Sequence, residues 1–350
     1  MMLLNLNIEW AFILEKILLI SAILGISLLI AMYETWAERK VAAWIQDRRG
    51  PSRAGPLGLL QPLADGGKLF FKEEIIPANS NRFLFILGPS LAMLVACMTG
   101  AVIPWGDTLH FGDYSVSLQV ADVNIGVLYI FAIVSFGVYG IMLGGWASNN
   151  KYSLLAAIRG ASQIISYELA MGLALIALLM VTGTLSLKEI VEQQRPGILS
   201  WNVVAQPLGF IIFLICAFAE CNRAPFDLPE AENELNGGYH LEYSSMKLGF
   251  FLFAEYINMF VSSALMATLY FGGYSFPGMD SLPFSPNVIT LLGVGALFIK
   301  TFIFIFFFMW VRWTLPRFRY DQLMDLGWKV LIPLSLINML LTGAFILWRQ

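Results

Sequence analysis

The chain has 350 residues, 58% of them hydrophobic and 13% charged, with a formal net charge of −3 and a mean hydropathy of +0.72. A soluble protein of this size could not cover its surface with so few charges, so the sequence is that of an integral membrane protein. No nucleic-acid partner is expected.

Windows of about 20 apolar residues, the length that crosses a hydrocarbon core of roughly 30 Å, predict eight helices at 11–34, 83–103, 124–146, 153–182, 205–220, 248–271, 288–311 and 329–348. They make one all-α membrane domain over residues 1–350, with eight transmembrane helices, an inner-surface amphipathic helix at about 56–75 and a structured acidic inner loop at about 221–247. The first helix carries Glu15-Lys16 and runs into Met32-Tyr33-Glu34-Thr35-Trp36-Ala37-Glu38-Arg39-Lys40, followed by the basic segment Gln46 to Pro51. In the next stretch Leu59, Leu60, Leu63, Phe70 and Phe71 line one side of a helix, with Gln61, Asp65, Lys68 and Lys72 on the other. That segment is too short and polar to span, so it is expected to lie along the membrane surface, against lipid or as the lip of an opening for a membrane-soluble substrate. Weak alternation at Tyr114, Val116, Leu118 and Val120 predicts a small hairpin within 104–122.

The fourth predicted helix has Arg159, Gln163 and Tyr167 at four-residue spacing, with Ser162, Ser166 and Glu168 beside them. The sixth repeats the pattern with Glu255, Asn258 and Ser262. A charge in the hydrocarbon region costs about 2.5–3.5 kcal/mol on insertion scales, so such residues face a protein interior or a watery cavity. They are read as a static ion pair or as a route for ions or protons. Lys300, in the aromatic seventh helix, is a weaker signal of the same kind.

Between the fifth and sixth helices six carboxylates, Glu220, Asp227, Glu230, Glu232, Glu234 and Glu242, fall within 23 residues. Pro225 and Pro229 bracket Phe226-Asp227-Leu228, and proline suits the first turn of a helix. A short helix is therefore expected from about Pro229, with Glu230 and Glu234 one turn apart on one face and Glu232 on the other. Repulsion and burial would favour the neutral acids there; the plainer reading is a solvated acidic loop.

With the N-terminus outside, 15 Lys and Arg residues fall in the inner connections, against Lys188, Arg195 and Arg349 outside. That asymmetry puts both termini outside and the acidic loop inside. Residues 1–10 hold no Lys or Arg and no small-residue cleavage site precedes the basic loop, so the first span is not read as a secretory signal. Cys97, Cys216 and Cys221 lack zinc or iron-sulfur ligand spacing. His110 and His240 fall on opposite sides of the membrane, and neither a G-x-G-x-x-G nor a P-loop pattern occurs. No redox cofactor and no metal is expected in this chain.

Several of these stretches together resemble a known family: Ala37-Glu38-Arg39-Lys40, Gln61-Pro62-Leu63-Ala64-Asp65, Lys68-Leu69-Phe70, Ser166-Tyr167-Glu168, Asn222 to Glu232, Ala254-Glu255-Tyr256 and Tyr320-Asp321-Gln322-Leu323-Met324. In that order, from about residue 30 to about 330, they are similar to the quinone-site membrane subunit of respiratory complex I, the proton-pumping NADH:quinone oxidoreductase. The resemblance implies a protein without a redox centre that builds much of the quinone tunnel. FMN and iron-sulfur clusters would sit in partner subunits. The implied partners are the peripheral iron-sulfur and quinone-site subunits, small membrane subunits, antiporter-like subunits, quinone and lipid. The lack of a targeting segment suits a bacterial inner membrane, with an organelle inner membrane as the alternative, and the charge asymmetry makes the outer side, with both termini, periplasmic. The tunnel mouth carries over to Glu38, Arg39, Asp65 and Phe226, and a proton-coupling path to Glu168, Glu220, Asp227, Glu230, Glu232, Glu234 and Glu255. Asn236-Gly237-Gly238 departs from the family, where a bulkier residue and alanine are frequent.

The chemistry fits that implication, because reducing a quinone consumes protons and places transient negative charge near the head group. Each unit of carboxyl pKa shift such a charge causes amounts to about 1.36 kcal/mol. The alternatives are the related membrane component of a membrane-bound hydrogenase or formate hydrogenlyase, a stand-alone proton or cation transporter, and a structural anchor. The transporter lacks an internal repeat here, and an anchor has no use for charges in helices four and six.

Overall fold

The computed structural model describes residues 2–112 and 114–349, with the side chains of 2–9, 11, 232, 233 and 349 outside the description. Helix α1 (Met2–Ile45) has 44 residues, about 66 Å at 1.5 Å per residue. That is roughly twice a hydrocarbon core, so its end carries Glu34, Glu38 and Arg39 beyond the apolar run. Helix α2 (Gln61–Phe71) packs against α1 and against α10 (Ser245–Tyr270). It turns Leu63, Phe70 and Phe71 outward as an exposed apolar face.

Helices α3 (Arg82–Thr99), α4 (Gly126–Ala147) and α5 (Lys151–Thr182) follow. Side-chain oxygens of Asn81 and Asn150 accept the first free N–H groups of α3 and α5, as good N-caps do. Two strands, β1 (Thr108–Phe111) and β2 (Tyr114–Ser117), form the expected hairpin, with Thr108 opposite Ser117. Tyr114 donates to Glu15, and the Lys16 ammonium donates to the Gln119 carbonyl at 3.4 Å, which fastens the hairpin to α1.

Short helices α6 (Leu187–Gln193) and α7 (Asn202–Ala205) lead to α8 (Pro207–Glu220). After the four-residue α9 (Glu232–Leu235) and α10 comes α11 (Pro286–Thr314). Then α12 (Tyr320–Asp325) passes through a π-helical segment, Leu326–Leu331, into α13 (Ile332–Arg349). Among the described residues seven helices are long and apolar enough to cross a membrane. The eighth expected span is α8, whose 14 residues reach about 21 Å. Its start is set by Gln206, which breaks the helix at φ −133° and spends its amide on α13: Nε2 donates to Thr342 and Oε1 accepts from Asn338.

The centre of the bundle is α10, buried over 67% of its apolar window against 11% for α1. Lys300 of α11 is explained there. Its ammonium donates to the carbonyls of Phe271, Gly273 and Ser275 at 2.5–2.8 Å, a cation at the carboxyl end of a helix. Elsewhere the packing depends on absent side chains, because membrane helices gain most by close approach. A Cβ on Gly88 of α3 would lie 2.9 Å from the Gly144 Cα of α4, and one on Gly145 would lie 2.4 Å from the Ala157 Cβ of α5.

Gly145→Ala should therefore force α4 and α5 apart at a cost of about 1–3 kcal/mol. Gly172→Ala, where nothing lies within 4 Å, should be neutral or mildly stabilising. Thermal unfolding of the two variants in one detergent compares them directly.

Candidate functional site

The acidic loop is a folded object held against α5. Below it, Gly160 leaves room for Pro229, whose Cγ would meet a Cβ there at 2.6 Å. One turn further on, the Gln163 amide donates to the carbonyls of Ala219 (3.0 Å) and Phe226 (2.6 Å). The loop then closes on itself: Tyr239 N–H donates to the Pro229 carbonyl at 3.1 Å. Gly238, at φ +78°, sits so close that a Cβ would fall 2.2 Å from that oxygen. Only glycine meets both demands.

This closure corrects the expected helix start. The Pro229 carbonyl is already bound by Tyr239, and the helical turn begins at Glu232, so Glu230 and Glu234 do not share a helix face. Glu230 is half-buried beside His240, 4.0 Å away. Glu234 is largely exposed and pairs with Arg159 at 2.7 Å. Glu242 accepts from Asn150 at 2.7 Å. The Glu232 side chain lies outside the described residues, as does that of Arg349.

Asp227 goes furthest inward. It is 5% exposed, and one oxygen takes Arg317 at 2.6 Å while the other has no partner among the described residues. Burial, reinforced by the negative charge of Glu230, pushes its carboxyl up to about 7, against the pull of Arg317 and Arg312. Desolvation outweighs the ion pair here.

Behind the loop a cavity opens between α3, α4, α5, α8 and α10, lined by Glu220, Asn222, Tyr239, Glu255, Asn258 and Ser262 among mostly apolar side chains. The cavity volume is about 70 Å³, room for a few waters. Glu255 accepts from the Tyr239 hydroxyl at 3.2 Å, and one Glu220 oxygen is buried without a protein partner among the described residues. Glu168 accepts from Ser135 of α4, whose neighbours Phe131 and Val134 line the same cavity. The α5 stripe splits by role. Gln163 fastens the loop, Tyr167 donates to the Leu323 carbonyl at 2.9 Å, and Arg159 meets Glu234 at the surface.

On the other side of the loop Glu38 collects three donors: Arg312 at 2.6 Å, Tyr256 at 2.9 Å and Arg223 at 3.4 Å. The Arg223 guanidinium also lies 4.1 Å from the Tyr256 ring centroid, a cation–π contact. Burial works against the Arg223 charge, but Tyr256, Glu38, Glu255 and Glu230 outweigh it and hold its pKa above the ordinary value. Arg39 and Asp65 pair at 2.7 Å nearer the rim, with Gln61 also donating to Asp65. Phe226 packs between Tyr167 and Phe318. Sequence reasoning passes over Glu34, Arg223, Tyr256, Arg312 and Arg317 as site residues. The signal for Glu34 is its place one turn before Glu38; the partners of Arg312 and Arg317 come from folding. Among the described residues no three His, Cys, Asp or Glu side chains converge as a metal site.

Because Asp227 holds its proton above the usual aspartate range, its contribution to stability is full below about pH 4 and is lost as pH rises through about 7. Between pH 5 and 8 the thermal stability of Asp227→Asn should decline less steeply than that of the parent, the slopes differing by at most about 1.4 kcal/mol per pH unit. Equal slopes in detergent-extracted protein would contradict this.

The sequence model of the NADH dehydrogenase family matches residues 17–343. An H subunit of NADH-quinone oxidoreductase from Cytophaga hutchinsonii is 66% identical over 336 residues, 96% of this chain and 98% of that protein. The H subunit from Flavobacterium johnsoniae is 63% identical over 341 residues, 97% of each chain. That from Thermomicrobium roseum is 50% identical over 347 residues, 97% and 98% of the two chains. With a match that spans nearly the whole sequence and identities far above 30%, the chain belongs to the NADH dehydrogenase family, and within it to the group of H subunits of NADH-quinone oxidoreductase, or complex I.

Proposed function

We propose that this chain forms part of the tunnel that admits quinone to complex I and couples quinone reduction to proton movement through its carboxyl groups. The observation that carries the reading is a series of buried and half-buried acids leading to one internal cavity with room for waters. Glu38 in its cage of Arg223, Arg312 and Tyr256 stands at one side, Asp227 and Glu230 in the folded loop, then Glu255 and Glu220 on the cavity wall and Glu168 beyond. Arg39, Asp65 and the exposed apolar face of α2 form the outer lip, and Phe226 supports the loop behind it.

The quinone is substrate; flavin and iron-sulfur clusters belong to the partner subunits. Charge developing on the head group acts through a low-dielectric interior, where it changes proton affinity most. Asp227, already near its tipping point at neutral pH, is the group most readily shifted. Its protonation weakens the hold on Arg317, and the altered field reaches Glu255 and Glu220 across the cavity. Waters in that space and the Tyr239 hydroxyl carry protons from one carboxyl to the next, toward Glu168 and the antiporter-like subunits. The excess of basic residues in the connections on the acidic-loop side supports an inner-membrane orientation with both termini periplasmic. The relatives described above, all bacterial and all components of NADH-quinone oxidoreductase by name, favour this reading over a hydrogenase or a free-standing transporter.

In the intact complex, Glu255→Gln and Glu168→Gln should each lower NADH-driven quinone reduction and proton pumping by about tenfold or more, since a positioned acid–base group is typically worth 10²–10⁴. Flavin and iron-sulfur content should be unchanged. Glu234→Gln, at an exposed ion pair, should cost far less. Normal turnover and pumping in assembled Glu255→Gln and Glu168→Gln complexes would refute the coupling path.

A further inference from the structure

Glu34 is the buried group that the path described above leaves unused. It lies on α1 one turn before Glu38, is 3% exposed, and neither carboxyl oxygen has a hydrogen-bond partner among the described residues. Within the same cluster Arg223, 4% exposed, presents Nε and Nη2 without partners; only Nη1 is engaged, by Glu38 at 3.4 Å. An unpartnered acid and an unpartnered edge of a guanidinium thus occur together in one buried cluster. Buried polar groups are nearly always satisfied, by protein or by water, so the pair marks a place where a direct or water-bridged contact can form.

The groups around Glu34 come from several elements. Glu38 is on its own helix and Arg223 and Cys221 come from the loop, while Tyr256 of α10 and Arg312 of α11 reach the neighbouring Glu38. Glu34 feels the positive charge of Arg223 and the negative charge of Glu38. Cys221 and Asn222, the two residues before Arg223, both line the internal cavity, so Arg223 stands between the Glu38 cage and that cavity.

We propose that Glu34 is an additional proton-holding carboxyl of the coupling path, competing with Glu38 for the Arg223 guanidinium. This inference rests on the coupling function proposed above. A guanidinium keeps its proton, so Arg223 changes partner and not protonation state. With a proton on Glu34, the positive charge belongs to Glu38. When that proton leaves for water in the cavity, the ionised Glu34 takes Nε and Nη2, directly or through one water, and the hold on Glu38 loosens. The proton is conserved in the step and no other reactant is needed. Glu34 acts through Arg223, so it is a positioning residue and touches no substrate.

The test uses the whole complex carrying Glu34→Gln, Glu34→Asp or Glu255→Gln. Glu34→Gln keeps the shape and can hydrogen-bond but cannot exchange a proton. It should slow quinone reduction roughly tenfold on one limb of the pH profile and displace that limb, with normal flavin and iron-sulfur content. Glu34→Asp should restore most of the rate with a shifted profile. In infrared difference spectra of quinone reduction, a protonated-carboxyl band should vanish in Glu34→Gln and return, moved, in Glu34→Asp. A wild-type rate, pH profile and band pattern in Glu34→Gln would overturn the proposal. If Glu255→Gln is then impaired, the coupling path stands without Glu34; if it is normal as well, the path itself falls. Should Glu34→Gln fail to assemble, Glu34→Asp alone decides, because an unshifted pH profile and an unmoved band overturn the proposal equally.

Discussion

A guanidinium taken out of water constrains everything around it. Arg223 sits in the protein interior, and the desolvation of such a charge costs several kcal/mol unless partners replace the lost water. Glu38 has to come from the far end of α1, which explains why that helix runs so far beyond membrane length. Tyr256 has to come from α10, the most buried helix, with its ring beneath the guanidinium and its hydroxyl on the same carboxylate. Arg312 of α11 then balances the second Glu38 oxygen. Three helices and one loop are fixed relative to each other by a single charge. Removing one partner would leave an uncompensated ion, at a cost of about 3–5 kcal/mol.

Besides its ion pairs, the loop that delivers Arg223 is held by neutral contacts. Gln163 binds the Phe226 carbonyl of the loop and the Ala219 carbonyl at the end of α8, Pro229 sits on Gly160, and the Phe318 N–H donates to the Pro225 carbonyl at 3.2 Å. None of these contacts depends on ionisation, and so none depends on the charge of the carboxyls the loop carries.

Much of this architecture was legible in the sequence because apolar windows and isolated charges are unambiguous in a membrane protein. Glu168 and Glu255 stood out for that reason, and the hairpin and the surface helix followed from alternation and amphipathicity. What could not be read were contacts that only folding creates. Arg312 and Arg317 counted as topological charges, since their partners Glu38 and Asp227 lie far away along the chain. Pro229 suggested a helix start because nothing local reveals that its carbonyl is taken by Tyr239. Likewise, 205–220 passed the hydropathy window although Gln206 turns away to bind α13. The packing of Phe226 against Tyr167 and Phe318 is another contact that only folding creates.

The π-helical segment Leu326–Leu331 governs how the last helix meets the bundle. Leu323, Gly327, Leu331 and Ser335 are all buried, at a constant spacing of four residues. In a regular α-helix that spacing rotates the side chain by about 40° per step, so the fourth member would point about 120° away from the first. The wider turn takes up this drift, and the stripe continues inward through Asn338 and Thr342, where Gln206 binds. Chain length here is thus a structural variable in its own right. Losing one residue between Leu323 and Leu331 would rotate Asn338 and Thr342 toward lipid, release Gln206 and undo the docking of α8, the helix that carries Glu220.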